Sequence, residues 1–555
     1  MSNLTSIKND TQVGRILKYE GTHPPPSIPN RNFASFMLEI IAQHGKKVAV
    51  VDTVSEETCT YDDLRRAILS THNSLTNAGL RKGDVVILLP ETYCYYYAHL
   101  FGVMLCGAIA VSCRADMTKE ELVHRLRVTG AKWVITVESA VNNVEAAFQD
   151  LGADHLKKMW IIGKASGKDL ISSKTKNSDS IVTVDDNFDA ATTCALMFFS
   201  SGTTGLPKGV KISHKSLLVF HHMFRHLDEI EQIPQRSFSG SVSLLPFTPV
   251  SSFGYTISMQ VLSKGYKAVL LKKYVIKEYL QAIQRYKATY LMMVPHMIKE
   301  LVASPITEKF DLTSVVAATT GSAPIDNANL DSFKKKMNVY VTEGYGLTET
   351  TSLITFNGTQ MGFKPGSVGT PIPFFEVKVV DPVTGCLLSE GHNGEICTRG
   401  PYNMMGYANN PEATASAFDA EGWFHTGDIG YYDKDSFIYL TDRVKDIIKV
   451  EGKTVYPSEI EALIEKMEEV HEVAVVGVPD DKAGELPRAW VVPKLGVRID
   501  KEALIKFVAE HASHYNRLRG GVEIVKSLPR SSRGKVLKRQ LQDSYVAAVS
   551  QQSTK

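Results

Sequence analysis

The sequence predicts a mixed α/β protein with a large N-terminal domain and a small α+β C-terminal domain. Three observations indicate this. Short apolar runs alternate with helix-like segments up to about position 341, strand-like runs between turns follow at 371–399, and a second helix and strand pattern begins after 442. At 555 residues the chain exceeds the length at which a single hydrophobic core stops growing, so at least two domains are expected.

The first part of the chain alternates strands and helices. Apolar runs at 48–51 (VAVV), 85–89 (VVILL) and 133–137 (WVITV) predict buried strands. Between them, DDLRRAILSTHNSLTNAG predicts a helix. TKEELVHRLRVTGA predicts another, with Thr118 as N-cap and Glu121 completing a capping box. Alternation of this kind is typical of a parallel sheet with crossover helices.

The apolar stretch 85–113 is long enough to cross a bilayer. It is interrupted by Pro90, Glu91 and His99, and it divides into a β-branched run, a turn and a helix-like segment. We therefore expect a buried strand and helix here and no transmembrane segment.

The later segments predict smaller units. Short strand-like runs with turn signals at 371–399 indicate a small antiparallel or barrel-like unit. After DRVKD, the order helix (SEIEALIEKM), strand (VAVVGV), strand (AWVVPK) and helix (KEALIKFVAEH) indicates a compact α+β domain. The predicted domains are 1–442 and 443–555.

Charge and cysteine usage limit the partners and the compartment. The formal net charge of +2 gives no overall bias toward nucleic acid, so a nucleic-acid partner is not expected. Seven scattered cysteines without a C-x-x-C pair fit a reducing compartment. The polar N-terminus lacks an apolar signal region, which predicts a cytoplasmic location. A peroxisomal location is the alternative, although the C-terminal Ser-Thr-Lys does not match Ser-Lys-Leu.

The segment SSGTTGLPKG at 200–209 combines three glycines, two hydroxyl pairs and a lysine. It follows a strand-like run, CALMFFS, and a glycine-rich turn after a strand can wrap phosphate oxygens with its N–H groups. A Walker A loop is excluded because Lys208 is followed by Gly209, and Pro207 argues against a direct entry into a helix. The segment predicts a phosphate loop of another design.

Four further motifs carry candidate chemistry. EGYGLTETT places a hydroxyl, Thr348, beside a carboxylate, Glu349, after a glycine turn. GWFHTGD ends in Asp428, which could accept hydrogen bonds from two sugar hydroxyls. DRVKD follows it, and PRSSRGK places Lys535 on a short glycine turn. Each of these motifs alone is more often only a turn.

Taken together and in this order, the motifs resemble those of the adenylate-forming superfamily, which contains acyl-CoA synthetases, 4-coumarate:CoA ligases and firefly-type luciferases. The resemblance runs from about 33 to 541. It implies that the chain converts a small-molecule carboxylic acid and ATP, with Mg²⁺, into an acyl-adenylate and pyrophosphate. The acyl group then passes to the thiol of coenzyme A.

The resemblance also implies roles for individual residues. Thr348 would contact the α-phosphate of ATP and Glu349 would hold Mg²⁺. The nucleotide would be gripped by the phosphate loop and by the glycine turn before Thr348: Ser200, Ser201, Gly202, Thr203, Thr204, Gly205, Lys208, Gly344, Tyr345 and Gly346.

Near the second predicted domain, Asp428 matches the ribose-binding acid of the superfamily, and Arg443 lies where a residue usually reaches ribose or phosphate. Lys535 matches the lysine that bridges the reacting carboxylate and the α-phosphate. Lys449 lies in the loop that would face the active site for coenzyme A transfer after a rotation of the small domain. The basic run 517–539, with eight Lys or Arg and one acid, is either a solvated face or an attraction for coenzyme A phosphates.

Two positions depart from the superfamily pattern. Pro249 stands where many relatives carry a histidine near the acyl carboxylate; His221 and His222 upstream are candidates to replace that donor. Glu343 replaces the usual glutamine before Gly-Tyr-Gly. The acyl pocket would be formed by 247–255, 320–324 and 343–346, where Gly321, Ser322 and Ala323 leave room for an aliphatic or aryl chain.

We expect a medium- to long-chain fatty acid as substrate, with a cinnamate-like acid as the second choice. Two other functions stay open on the sequence. A luciferase-like monooxygenase shares the adenylation chemistry, and a non-catalytic nucleotide- or acyl-adenylate-binding protein would fit the departures at Pro249 and Glu343. The sequence leaves the oligomeric state unknown.

Overall fold

The structure is a computed structural model. It describes residues 14–19, 27–90, 94–152, 155–162, 189–200, 206–231, 241–246, 249–323, 325, 327–358, 362–451, 453–530 and 536–553, without the side chains of 228–231 and 550–553.

The chain contains mixed secondary structure throughout. The strands are β1 Leu17–Lys18, β2 Val48–Asp52, β3 Thr58–Thr60, β4 Val85–Leu89, β5 Ile109–Ser112, β6 Trp133–Val137, β7 Lys158–Ile162, β8 Cys194–Ser200, β9 Lys208–Ser213, β10 Val242–Leu245, β11 Lys267–Leu270, β12 Tyr290–Met293, β13 Ala317–Gly321, β14 Tyr340–Tyr345, β15 Thr355–Asn357, β16 Thr370–Pro371, β17 Glu376–Val380, β18 Gly394–Arg399, β19 Gly406–Tyr407, β20 Phe424–Tyr432, β21 Ile438–Arg443, β22 Ile448–Val450, β23 Lys453–Val455, β24 Val470–Asp480, β25 Gly484–Pro493 and β26 Val522–Ile524. The helices are α1 Phe33–Ala42, α2 Tyr61–Asn77, α3 Tyr96–Leu105, α4 Lys119–Thr129, α5 Val141–Leu151, α6 His214–Glu231, α7 Ser252–Ser263, α8 Ile276–Tyr286, α9 Pro295–Ala303, α10 Asn327–Met337, α11 Pro411–Ala417, α12 Pro457–Ile464, α13 Lys501–His511 and α14 Lys538–Ser553.

The chain forms two compact units. The large unit comprises Leu17–Val377 and Thr398–Phe424, and the small unit comprises Lys378–Cys397 and the chain from His425 onward, together with the N-terminal segment that ends at Ile16. The predicted fold class, a large α/β domain and a small α+β domain, is confirmed. The boundary at 442/443 stays a prediction.

The large unit contains a seven-stranded sheet of order β19-β9-β8-β5-β4-β6-β7. The strands predicted at 85–89 and 133–137 are β4 and β6, which pair in parallel. Helix α4 has the predicted Thr118 cap and capping box, because Thr118 accepts from the Glu121 N–H and the Glu121 carboxylate accepts from the Thr118 N–H. The start of α4 is therefore set by two residues that are close together in the sequence, Thr118 and Glu121.

The second sheet of the large unit has nine strands in the order β16-β15-β14-β13-β12-β10-β11-β2-β3. From β2 through β11, β10, β12 and β13 to β14, every neighbouring pair is parallel. The carboxyl ends of parallel strands lie at one edge of a sheet, where α/β proteins usually bind ligands. This edge carries the end of β14, which is the start of the EGYGLTETT motif.

The apolar stretch 85–113 is not a membrane segment. It forms β4, α3 and β5, and every residue of α3 is buried, which explains why that helix is apolar on all sides. Over the described parts of the chain, no helix combines the length and apolarity that a membrane crossing requires. The expectation of a buried strand and helix is confirmed.

The small unit is built around the antiparallel pair β24 and β25, with β26 parallel to β25. Its core includes Ile460 of α12, Val475 of β24 and Leu504 of α13. The predicted order of helix, strand, strand and helix after 457 is therefore present. The seven cysteines, all within the described residues, are not joined by disulfide bonds, as their spacing predicts.

Candidate active site

The predicted phosphate loop is flanked by two paired strands. Strands β8 and β9 are antiparallel, and Ser200 at the end of β8 stands opposite Lys208 at the start of β9. His124 of α4 supports the end of this loop, since its Nε2 lies 2.8 Å from the carbonyl oxygen of Pro207. The segment continues into the strand β9 and not into a helix. This agrees with the exclusion of a Walker A loop. Ser201, Gly202, Thr203, Thr204 and Gly205 lie outside the described residues.

Two motifs that are distant in sequence meet at Tyr407. The Tyr407 hydroxyl donates a hydrogen bond to Glu349 Oε1 over 3.1 Å, and the ammonium of Lys208 lies 4.7 Å from the centre of the Tyr407 ring. Burial and then the neighbouring Glu349 charge raise the pKa of Tyr407, so the phenol stays neutral and remains a donor. Tyr407 therefore links the phosphate loop to the predicted metal-binding carboxylate.

Sequence reasoning did not select Tyr407. It lies in the short strand β19, which pairs with β9 so that Tyr407 stands opposite Val210. The only local signal is a glycine–tyrosine pair before a helix N-cap, and nothing in that pattern indicates a contact with a glutamate 58 positions earlier.

Glu349 itself is buried at 8% exposure. Its backbone carbonyl accepts a hydrogen bond from the Met404 N–H over 2.7 Å, which ties the residue to the segment just before Tyr407. A buried carboxylate with one donor on one of its oxygens retains lone pairs for a hard cation such as Mg²⁺. The residues present fit the metal.

Thr348 contacts a serine of the segment 247–255, which the resemblance assigns to the acyl pocket. The Thr348 and Ser252 hydroxyls lie 3.1 Å apart, and Ser252 is the first residue of α7. Two hydroxyls at this point offer hydrogen-bond donors for a phosphoryl oxygen.

The glycine turn before Thr348 is tightly packed. A Cβ on Gly346 would collide with the carbonyl oxygen of Ser352 and lie 2.6 Å from the Leu353 Cα. A Cβ on Gly344 would lie 2.6 Å from the Leu353 Cδ1. Gly344 and Tyr345 end β14, so the sheet holds the turn from one side and the segment 352–353 holds it from the other.

In the small unit, Asp428 and Arg443 form an ion pair. They stand opposite each other on the antiparallel strands β20 and β21, with Arg443 Nε 2.7 Å from Asp428 Oδ1. The Asp428 side chain is 8% exposed, against 31% for Arg443. The arrangement presents a fixed carboxylate, which can accept hydrogen bonds from hydroxyls, beside a guanidinium, which can bind an anion.

The HTGD motif is positioned by Glu395, another residue that the sequence did not indicate. Glu395 Oε2 lies 2.8 Å from His425 Nδ1, and Glu395 Oε1 accepts from the Gly427 N–H over 3.0 Å. Thr426 donates to the Ile396 carbonyl oxygen over 2.6 Å. Strand β18 thereby fixes the backbone that leads to Asp428.

Of the two lysines that the resemblance assigns to separate half-reactions, the structure describes Lys449. Lys449 is exposed on β22, where its Nζ donates to Thr454 Oγ1 over 2.8 Å and its N–H donates to Glu485 over 2.8 Å. Lys535 lies outside the described residues. The roles of both lysines stay predictions.

Pro249 and Glu343, the two residues that depart from the superfamily pattern, each accept a hydrogen bond. Pro249 is buried, and its carbonyl oxygen accepts from the Tyr96 hydroxyl over 3.4 Å. Glu343 accepts a hydrogen bond from Asn357 Nδ2 over 3.2 Å. Burial raises the pKa of Glu343 to about 7, against the opposing effects of Asn357 and of the Lys334 charge.

His221 does not lie beside Thr348. It lines a cavity with Gln260 and Lys264 at the C-terminal end of α7, whereas Ser252 at the other end of that helix contacts Thr348. Eight residues of helix separate Ser252 from Gln260, which is about 12 Å at ~1.5 Å per residue. The suggestion that His221 replaces the missing donor at Pro249 therefore has no support in this geometry.

Comparison with known proteins decides the family. The profile of the AMP-binding enzyme family matches residues 38–408, and that of the AMP-binding enzyme C-terminal domain matches 459–535. The chain belongs to the AMP-binding enzyme family. The resemblance to adenylate-forming enzymes that the motifs indicate is thus confirmed.

Relatives of this AMP-binding enzyme cover nearly its whole length. The 4-coumarate–CoA ligase-like 1 of Arabidopsis thaliana is 33% identical over 539 residues, 95% of this chain and 97% of the relative. Luciferin 4-monooxygenase of Photinus pyralis is 30% identical over 522 residues, 90% and 92% of the two chains. Among solved structures, ATP-bound MatB from Rhodopseudomonas palustris is 26% identical with a TM-score of 0.79, covering 92% of this chain and 99% of that one.

Proposed function

We propose that this AMP-binding enzyme is an ATP-dependent acid–thiol ligase that makes acyl-CoA by way of an acyl-adenylate. The observation that carries the proposal is the Tyr407 contact, which joins Lys208 of the phosphate loop to Glu349 within one unit. The Asp428–Arg443 pair and the similarity to a 4-coumarate–CoA ligase-like protein support it.

In the first half-reaction, a carboxylate oxygen of the acid attacks the α-phosphorus of ATP and pyrophosphate leaves. Lys208 and the hydroxyls of Ser200 and Thr348 meet the phosphoryl oxygens on which negative charge develops. Glu349, oriented by the Tyr407 hydroxyl, would hold Mg²⁺, and that ion would supply positive charge against the phosphates. Lys535 neutralises the repulsion between the carboxylate and the α-phosphate.

In the second half-reaction, the thiol sulfur of coenzyme A attacks the acyl carbonyl carbon and AMP leaves. Asp428 holds the ribose hydroxyls of the adenylate as hydrogen-bond acceptor. Arg443 holds the Asp428 carboxylate in place through their ion pair. Lys449 acts where coenzyme A enters the site. We place this reaction in the cytoplasm, because seven scattered cysteines without a C-x-x-C pair fit a reducing compartment.

For the acid we propose a medium- to long-chain fatty acid first and a cinnamate-like acid second. At the carboxyl end of β13, Gly321 has no room for a side chain, since a Cβ there would lie 2.9 Å from the Gly344 carbonyl oxygen. A bulkier side chain would intrude on the segment assigned to the acyl group. The named activity of the Arabidopsis relative supports the second choice.

The test is pyrophosphate release from Mg²⁺·ATP across aliphatic and aryl acids, each with and without coenzyme A. Release that depends on one class of acid and turns over only with coenzyme A supports the ligase and names its acid. Oxygen-dependent light emission without formation of a thioester would favour a monooxygenase. This alternative is considered because the Photinus pyralis relative is named as one. ATP binding without release for any acid would favour a non-catalytic binding protein.

A further inference from the structure

Three side chains that can bind a metal ion converge in the small unit: Glu395, Cys397 and His425. Their ligand atoms, a carboxylate oxygen, the thiol sulfur and a ring nitrogen, all lie within 4.8 Å of one another. None of the three residues is assigned to adenylation or to coenzyme A transfer. Over the described parts of the chain, no other group of three acidic, cysteine or histidine side chains converges in this way.

The pairing of strands explains why these residues meet. Glu395 and Cys397 are two positions apart on β18, so their side chains lie on the same face of the sheet. Strand β20 is the neighbour of β18 and carries His425 as its second residue. The three side chains are therefore held by two adjacent strands and not by loops, which gives a precise geometry.

The other two side chains approach the same atom of His425. Its Nδ1 lies 2.8 Å from Glu395 Oε2 and 3.5 Å from Cys397 Sγ. A ring nitrogen carries either one hydrogen or one lone pair, so it cannot make a good hydrogen bond to both neighbours. A single cation between the three atoms would bind all of them at once.

The separations are close to those of a tetrahedral zinc site. With Zn–S bonds of about 2.3 Å and Zn–N and Zn–O bonds of about 2.0 Å, tetrahedral ligands stand about 3.5 Å (S to N) and about 3.3 Å (N to O) apart. The distance between Cys397 Sγ and His425 Nδ1, 3.5 Å, already has this value. The contact between Glu395 and His425 is about 0.5 Å shorter, as expected for a hydrogen bond that the ion would replace.

Burial and charge also suit a divalent ion. Cys397 is fully buried and the Glu395 side chain is 11% exposed, whereas the His425 side chain is 32% exposed and faces solvent on one side. A thiolate and a carboxylate together neutralise two positive charges, which a buried ion requires. Glu395 Oε1 accepts a hydrogen bond from the Gly427 N–H over 3.0 Å, and this contact orients the carboxylate.

We propose that Glu395, Cys397 and His425 form a Zn²⁺ site, with a water molecule as fourth ligand on the exposed side of His425. Thiolate and imidazole ligands select zinc over Mg²⁺, the hard ion proposed for the adenylation site. The thiol proton leaves on binding, because the thiolate is the ligand. The site shares no residue with the proposed ligase reaction, so the failure of one proposal does not decide the other.

The first test is the absorption spectrum of the full-length protein with Co²⁺, used as a probe for a zinc site. Excess Mg²⁺ is present to occupy sites made only of oxygen ligands. One equivalent of Co²⁺ should give a thiolate-to-cobalt charge-transfer band that added Zn²⁺ removes. C397S should lose this band. C386S, which removes an exposed thiol from the same unit, should keep it.

Equilibrium dialysis of radiolabelled Zn²⁺, again with excess Mg²⁺, tests the other two ligands. E395Q and H425N should each weaken zinc binding about tenfold or more, since even the loss of an outer-shell partner costs about 10- to 100-fold. H392Q is the matched control because it removes an exposed histidine of the same unit.

Three results would each overturn the proposal: no charge-transfer band in the wild type, survival of the band in C397S, or equal zinc affinity in E395Q, H425N and H392Q. Any of them would show that the three side chains form a hydrogen-bonded cluster without a metal. Far-ultraviolet circular dichroism of each variant separates a loss of fold from a loss of site. C397A repeats the test at the buried position if C397S fails to fold.

Discussion

At the residue scale, the hydrogen bond from Tyr407 to Glu349 is the contact on which the proposed metal site depends. Y407F removes the hydroxyl and keeps the ring that lies beside Lys208. A hydrogen bond to a charged group contributes about 1.5–3 kcal/mol, so we expect kcat/KM for acid-dependent pyrophosphate release to fall about 10- to 100-fold, with a higher Mg²⁺ requirement.

The control for Y407F is Y286F. Tyr286 contacts Arg285 through its ring face, and the substitution leaves that ring in place. It should leave both the rate and the magnesium dependence unchanged. An unaltered magnesium dependence in Y407F would remove Tyr407 from the positioning of Glu349.

Glu343 gives a second prediction, for stability against pH. Its native pKa is about 7, whereas an unfolded glutamate titrates at about 4.3. Between these values the native state holds a proton that the unfolded chain has lost, so the wild-type protein loses stability as the pH rises, by up to about 4 kcal/mol.

E343Q carries no such proton and should not show this loss. Urea midpoints of both proteins, measured from about pH 4.5 to pH 8, test the prediction, and E278Q on the exposed start of α8 is the control. Parallel curves for the wild type and E343Q would show that the Glu343 carboxyl titrates normally.

At the element scale, the turn after β14 is the part of the site with the least space. G346A would place a methyl group against the Ser352 carbonyl and 2.6 Å from the Leu353 Cα, so the turn must shift and carry Thr348 with it. We expect a loss of adenylation of about 100-fold or more, since a misplacement of about 1 Å costs that much.

The control for G346A is G391A, at a glycine whose added Cβ meets nothing within 4 Å. That substitution costs stability at a positive φ of 76° without touching the assigned residues. Equal losses of activity in the two variants would indicate a general effect of destabilisation.

Sequence patterns predicted the elements whose determinants are local. The Thr118 capping box, the strand before the phosphate loop and the buried helix after β4 each follow from neighbouring residues. The contacts made by Tyr407 and Glu395 could not be predicted. Each joins positions 30 or more apart, and only the pairing of β19 with β9 and the place of β18 bring them together.

At the scale of the whole molecule, the two proposed half-reactions depend on different lysines. K535A should abolish adenylate formation and leave thioester formation from supplied acyl-adenylate largely intact. K449A should do the reverse. The reason is that Lys535 offsets charge only while carboxylate and triphosphate meet, whereas Lys449 acts when coenzyme A enters. Rapid-quench assays of each half-reaction measure this.

Two exposed lysines of the small unit provide controls. K453A lies on β23 opposite Val450, and K501A lies at the start of α13. Neither should affect either step by more than a few-fold. Loss of the same half-reaction in both K535A and K449A would refute the division of labour between them.

The proposed ligase reaction is tested by a single-turnover experiment with excess enzyme, Mg²⁺·ATP and the preferred acid, analysed by mass spectrometry. Without coenzyme A, we expect acyl-adenylate to accumulate in step with pyrophosphate. Addition of coenzyme A should then convert it to acyl-CoA and AMP in equal amounts. Absence of the adenylate, or its consumption without any thioester, would contradict the assignment of this chain as an acyl-CoA ligase.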